Sequence, residues 1–212
     1  MKKLAIVVLL GLLSACAHIW PENPPVLSPF GDGTQWVVLE NLDFIIQMDD
    51  KSTAIIRVPR GFVTDLASTP RAIWSFYPPF GKYLTASVLH DYLYWRQTCT
   101  RKEADQILYQ TMRDAGVKPA AQSLFYITLN QVGDKAWTTN QGEKTSGLIR
   151  VIPEEYLKRN AVTDWDSYRK TLKEWKVTEP VVASDQSMPK VCAALGNEIK
   201  VRIEFAAIVF AK

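Results

Sequence analysis

The stretch Leu89-His90-Asp91-Tyr92-Leu93-Tyr94-Trp95-Arg96 decides how the chain is read. It closes an apolar run that predicts a helix from about Tyr83 to Arg96. Shortly after it comes Thr100-Arg101-Lys102-Glu103, a capping box in which Thr100 caps and Glu103 reaches back. That box starts a second helix, which runs to about Ala115 and is ended by Gly116. So short a connection predicts an antiparallel hairpin. With a rise of about 1.5 Å per residue, His90 lies roughly 9 Å before the turn and Asp105 roughly 7.5 Å after it. The two therefore stand at nearly the same height on neighbouring helices. Ala86, Leu89 and Leu93 form an apolar stripe bordered by His90 and Tyr94, and Asp105 shares the face of Ala104, Leu108 and Met112. A partly buried carboxylate needs partners, and His90 and Tyr94 are at hand. Two uses fit this spacing. One is an acid–base site, with His90 as base oriented by Asp105 and supported by Tyr94. The other is a structural network that locks the hairpin.

The chain around the hairpin predicts an α+β domain: a small antiparallel sheet packed on the hairpin, with flanking helices. Trp36 to Leu39, Leu42 to Gln47 and Thr53 to Val58 are short, rich in β-branched and aromatic residues, and separated by polar turns. Gly61 to Ser68 reads as a loop, and Thr69-Pro70 as the start of a short helix. Pro119 opens a third helix through Leu124, Ile127 and Val132, and Gln141 to Gly147 reads as a polar loop. Trp165 to Trp175 has helical spacing. Residues 34–177 form the domain in this reading. Residues 178–212 follow as a loosely ordered segment and a final strand, from Glu198 to Val209.

The first residues predict an address. Lys2 and Lys3 precede an apolar run from Leu4 to Leu13, the layout of a signal peptide over residues 1–15. Leu13-Ser14-Ala15-Cys16 resembles a bacterial lipobox. The resemblance implies cleavage before Cys16 and its lipidation. It also implies a membrane partner through that anchor and, with Ala17 next, an outer-membrane location facing the periplasm. Residues 16–33 then form the anchor and a tether rich in proline, with Pro21, Pro24, Pro25 and Pro29. Removing Lys2 and Lys3 leaves 23 basic against 22 acidic residues. Basic runs are absent, so no nucleic-acid partner is expected. Two cysteines remain, Cys99 and Cys192, either bridged in an oxidising compartment or buried as thiols.

Two further resemblances involve the hairpin. His90-Asp91-x-x-Tyr94, followed by Asp105 on the next helix, resembles the core of the secreted phospholipase A2 superfamily. It implies His90 as the base that activates water, Asp91 as a calcium ligand, Asp105 as the orienting group and Tyr94 as its support. Envelope phospholipid would be the substrate. Pro79-Phe80-Gly81 stands where that family has a glycine-rich calcium loop, and the family's helix-tying disulfide pair is absent. More broadly, Gly61-Phe62-x-Thr64-Asp65-x-Ala67-Ser68-x-Pro70, then His90-Asp91-x-Leu93-Tyr94 and Ala104-Asp105, resembles a bacterial and phage family of unknown function. That likeness draws in Asp65, as a metal-binding carboxylate beside Asp91 or as a turn residue together with Ser68. The aromatic cluster Trp74, Phe76, Tyr77, Phe80 and Tyr83 reads as core or as a lipid-facing rim. Three functions follow: a phospholipase-like hydrolase, a non-enzymatic envelope protein and a peptidoglycan hydrolase.

Overall fold

In a computed structural model, residues 17–66, 81–158 and 163–210 are described, with side chains up to Ile199. Six strands come first: β1 His18–Pro21, β2 Leu27–Pro29, β3 Trp36–Val38, β4 Leu42–Gln47, β5 Thr53–Val58 and β6 Val63–Thr64. The helices are α1 Leu84–Arg96, α2 Arg101–Asp114, α3 Pro119–Thr145, α4 Trp165–Glu174 and α5 Met188–Phe210. The class is α+β, but the expected single sheet is two. One has the order β1-β4-β5 and the other β2-β3-β6, both antiparallel.

Strand alternation sets the first sheet. Leu42, Phe44 and Ile46 of β4 are buried while the residues between them are not, as a two-residue repeat demands. Ile19 faces Ile46 and Phe44 faces Ile56 across the ladder. Their inner face packs on the hairpin, β1 against α2 and β5 against α1. α3 covers α1 and α2 through Ala121, Phe125 and Leu129, which meet Tyr83, Ala86, Leu108 and Met112. The layers thus run sheet, hairpin, α3. Because α1 lies between layers, every residue from Ala86 to Trp95 is buried. It is buried on all sides, not on one stripe.

The capping box is present: Glu103 N donates to Thr100 Oγ1 at 3.3 Å, and Thr100 N donates to Glu103 Oε2 at 2.8 Å. Cys99 and Cys192 form a disulfide with a Cα separation of 5.7 Å, joining the hairpin turn to α5.

Three expectations need correction. The tether over residues 16–33 contains β1 and β2, which are built into the sheets. Both lie at sheet edges, where proline is tolerated because one side of the backbone makes no ladder bonds. The loop expected from Gln141 continues α3 to Thr145. The final strand is helix α5, and the preceding segment carries Glu179 and the buried Asp185. The short helix expected after Pro70, and Cys16, lie outside the described residues. Among the described residues no helix is long and apolar enough to cross a membrane.

Candidate active site

Adjacent residues on a helix point about 100° apart, so His90 and Asp91 serve two separate places. His90 Nε2 lies 2.9 Å from Asp105 Oδ1, and both side chains are at most 5% exposed. Tyr94 OH donates to the same oxygen at 2.6 Å, and Arg101 donates to Asp105 Oδ2 at 2.7 Å. The His90 ring stacks on Tyr94 with centroids 4.1 Å apart. Burial, then the charge of Asp105, pushes the Tyr94 phenol up, so it remains a donor. Gly133 of α3 leaves room for this group. A Cβ on it would come within 2.7 Å of the Tyr94 hydroxyl and 2.9 Å of the Arg101 guanidinium. The sequence-predicted trio His90, Asp105 and Tyr94 is thus brought together, under a lid of α3.

Asp91 turns the other way, into a cavity of about 300 Å³ lined by Asp65, Asp91, Tyr94, Val132, Lys135, Ala136, Thr139, Asn140 and Arg150. His90 is not part of that lining; Tyr94 is the wall between it and the cavity. Thr64 donates its hydroxyl to Asp91 Oδ2, and Leu66 N donates to Thr64 Oγ1 at 3.0 Å. Leu66, fully buried, sits at φ 64°, a costly conformation for a branched side chain. Gly61 fixes the start of this loop. Its φ is 88°, and a Cβ would lie 2.1 Å from the Ile152 carbonyl oxygen.

Asp65 completes the arrangement. Burial, then the Asp65 charge, raises the Asp91 carboxyl well above the usual range, while the Thr64 hydroxyl and Arg150 oppose the shift. Asp65 Oδ1 is buried without a hydrogen-bond partner among the described residues. A raised Asp91 carboxyl beside a second carboxyl is an arrangement that general acid–base chemistry uses.

Calcium takes six to eight oxygens, mostly ionised or carbonyl. Asp91 and Asp65 present carboxyl groups to the cavity, which Arg150 also lines. Among the described residues no three His, Cys, Asp or Glu side chains are grouped to hold a metal ion.

Sequence reasoning missed Arg150, Lys135, Thr139 and Asn140. Glu179 positions Arg150: its Oε1 accepts from Arg150 N at 2.7 Å, Val151 N at 3.0 Å and Trp95 Nε1 at 2.7 Å. None of these residues belongs to a local motif, and three lie on α3 between Val132, the last residue traced in the expected helix, and Gln141, where a loop was expected. Thr64 was within reach, since it stands beside Asp65 in the Gly61-Phe62-x-Thr64-Asp65 pattern. Ser68, Trp74, Phe76, Tyr77 and Phe80 lie outside the described residues.

With this geometry in place, comparison with known proteins adds one relation. Residues 36–129 match the family model described as Protein of unknown function (DUF1353). The match supports a domain-of-unknown-function family for that stretch. It contains Thr64, Asp65, His90, Asp91, Tyr94 and Asp105, and ends before Lys135, Asn140 and Arg150. No curated protein and no solved structure matches the chain.

Proposed function

We propose that the protein is a bacterial envelope lipoprotein, acylated at Cys16 and facing the periplasm, whose cavity hydrolyses peptidoglycan. The observation that carries this reading is the Asp65–Asp91 pair in a cavity that also presents Arg150 and Lys135. The Asp65 carboxylate takes a proton from a water molecule, whose oxygen attacks the scissile carbon. Asp91 gives its proton to the leaving group as that bond breaks, so one water is consumed and each product is capped. Arg150 and Lys135 hold anionic groups of the substrate, and Thr64 keeps Asp91 aimed into the cavity.

The phospholipase-like reading requires His90 to activate water, but His90 is not among the residues that line the cavity. The His90 network fits the structural role. Purified sacculi and phosphatidylglycerol vesicles, incubated separately with wild type, Asp65→Asn and Asp91→Asn, test the proposal. Soluble fragments should be released from sacculi by wild type only. Fatty acid release instead would restore the phospholipid reading, and no release from either would favour a non-enzymatic protein.

A further inference from the structure

The outer face of the first sheet carries an apolar row that is partly open to solvent. Trp20 pairs with Ile45, and Ile45 with Ile55, so the three lie side by side across β1, β4 and β5. Trp20 is 39% exposed and Ile55 is 49% exposed, and Ile45 between them is half-buried. We propose that this row is a membrane-docking face, seated on the bilayer that holds the acylated Cys16. The proposal rests on the lipoprotein reading.

What selects the bilayer is where the chain leaves the fold. Ala17 is fully buried, and its carbonyl accepts from Gln110 Nε2 at 3.0 Å. Ile19 N donates to Asp114 Oδ2 at 2.7 Å. The chain is therefore fixed in the sheet layer one residue after Cys16, with no slack. One residue spans at most about 3.5 Å. The outer side of α3, with its exposed Leu124 and Ile127, is separated from that layer by two helix layers, each about 8–10 Å deep. An anchor at Cys16 cannot reach a bilayer lying under α3. It reaches one lying under the sheet, where Trp20 follows the anchor by four residues. Tryptophan with aliphatic neighbours suits the headgroup boundary, where one part of the ring stays wet. Docked this way, the protein holds α3 on the side away from the membrane, and the cavity on the α3 side of the hairpin faces the periplasm.

The test reconstitutes the acylated full chain in phosphatidylethanolamine–phosphatidylglycerol vesicles. An environment-sensitive fluorophore is placed on Ile55→Cys or, in a second protein, on Ile127→Cys; Trp20→Cys is a second position in the row. The label at 55 should shift to the blue and be quenched by spin-labelled lipid, while the label at 127 should behave as in water. The reverse pattern would overturn the proposal in favour of docking through α3. Both labels in water, on protein that still floats with vesicles, would overturn the docking face and leave the lipoprotein reading standing. Failure to float would overturn the anchor and the docking face together. A label at 55 shielded in detergent only as protein concentration rises would assign the row to a second copy of the chain.

Discussion

Asp91 and His90 are neighbours in sequence with opposite electrostatic tasks. The folded chain holds the Asp91 proton more tightly than the unfolded chain does, because ionisation would place a desolvated charge beside Asp65. A raised folded-state pKa favours the fold at low pH. That advantage is lost as pH rises from the ordinary value of 3.8 through the raised one. Asn cannot ionise, so the melting temperature of Asp91→Asn relative to wild type should become steadily more favourable as pH rises above about 4. A difference constant across that range would rule out the raised carboxyl. The His90 side obeys a different rule. Asp105 accepts from Tyr94 and Arg101 and pairs with His90, so Asp105→Asn weakens bonds to three partners, of which His90 and Tyr94 are buried. Each group left unsatisfied costs about 1–3 kcal/mol. Urea unfolding should show Asp105→Asn losing more than His90→Gln, and sacculus release should fall only in step with folded protein. A rate loss in a fully stable His90→Gln would return His90 to the chemistry. The pairing of His90 with Asp105 was legible, since helix rise alone levels them. The direction each of two adjacent residues takes was not, because a helix buried on every side shows no stripe to orient it.

At the scale of elements, α5 shows how far a local pattern can mislead. Ile199-Lys200-Val201-Arg202-Ile203-Glu204-Phe205 alternates apolar and charged residues like a half-buried strand. It is helical because it continues a helix already started at Met188 and held to the hairpin. Gly196 lets that helix approach α2 closely, since a Cβ there would meet the Glu103 side chain at 2.9 Å. Tertiary context of this kind cannot be read from a seven-residue window, whereas the capping box at Thr100 was legible because both its bonds are local. The Cys99–Cys192 bridge is the covalent part of the same attachment. It spans a sequence separation of 93, a loop whose closure contributes up to about 4–5 kcal/mol in the chain-entropy treatment. Cys192→Ser, or reductant added to wild type, should lower the urea midpoint by an amount equivalent to about 2–4 kcal/mol. Two freely alkylated thiols in native protein taken from the periplasm would dispose of the bridge.

For the whole molecule, the decisive difference from the sequence lies in its first described residues. A proline-rich stretch with little alternation reads as an extended tether, yet β1 and β2 occupy the free edges of two sheets, where extended backbone and proline are both accepted. The partners that capture β1, from Phe44 to Gln47 and at Gln110 and Asp114, are 23 or more residues away along the chain, which is why local sequence does not reveal them. This makes membrane attachment separable from folding. Ala17 and Ile19 are held by Gln110 and Asp114 whatever precedes them. Cys16→Ser should therefore abolish acyl labelling and move the protein from the membrane to the soluble fraction. Its melting temperature should match that of the detergent-solubilised wild type, because no contact from Ala17 onward changes. Membrane fractionation and labelling that survive the substitution would refute the lipid anchor. Release accompanied by a large loss of stability would mean that the clamp on β1 depends on the anchor, contrary to the hydrogen bonds that fix it.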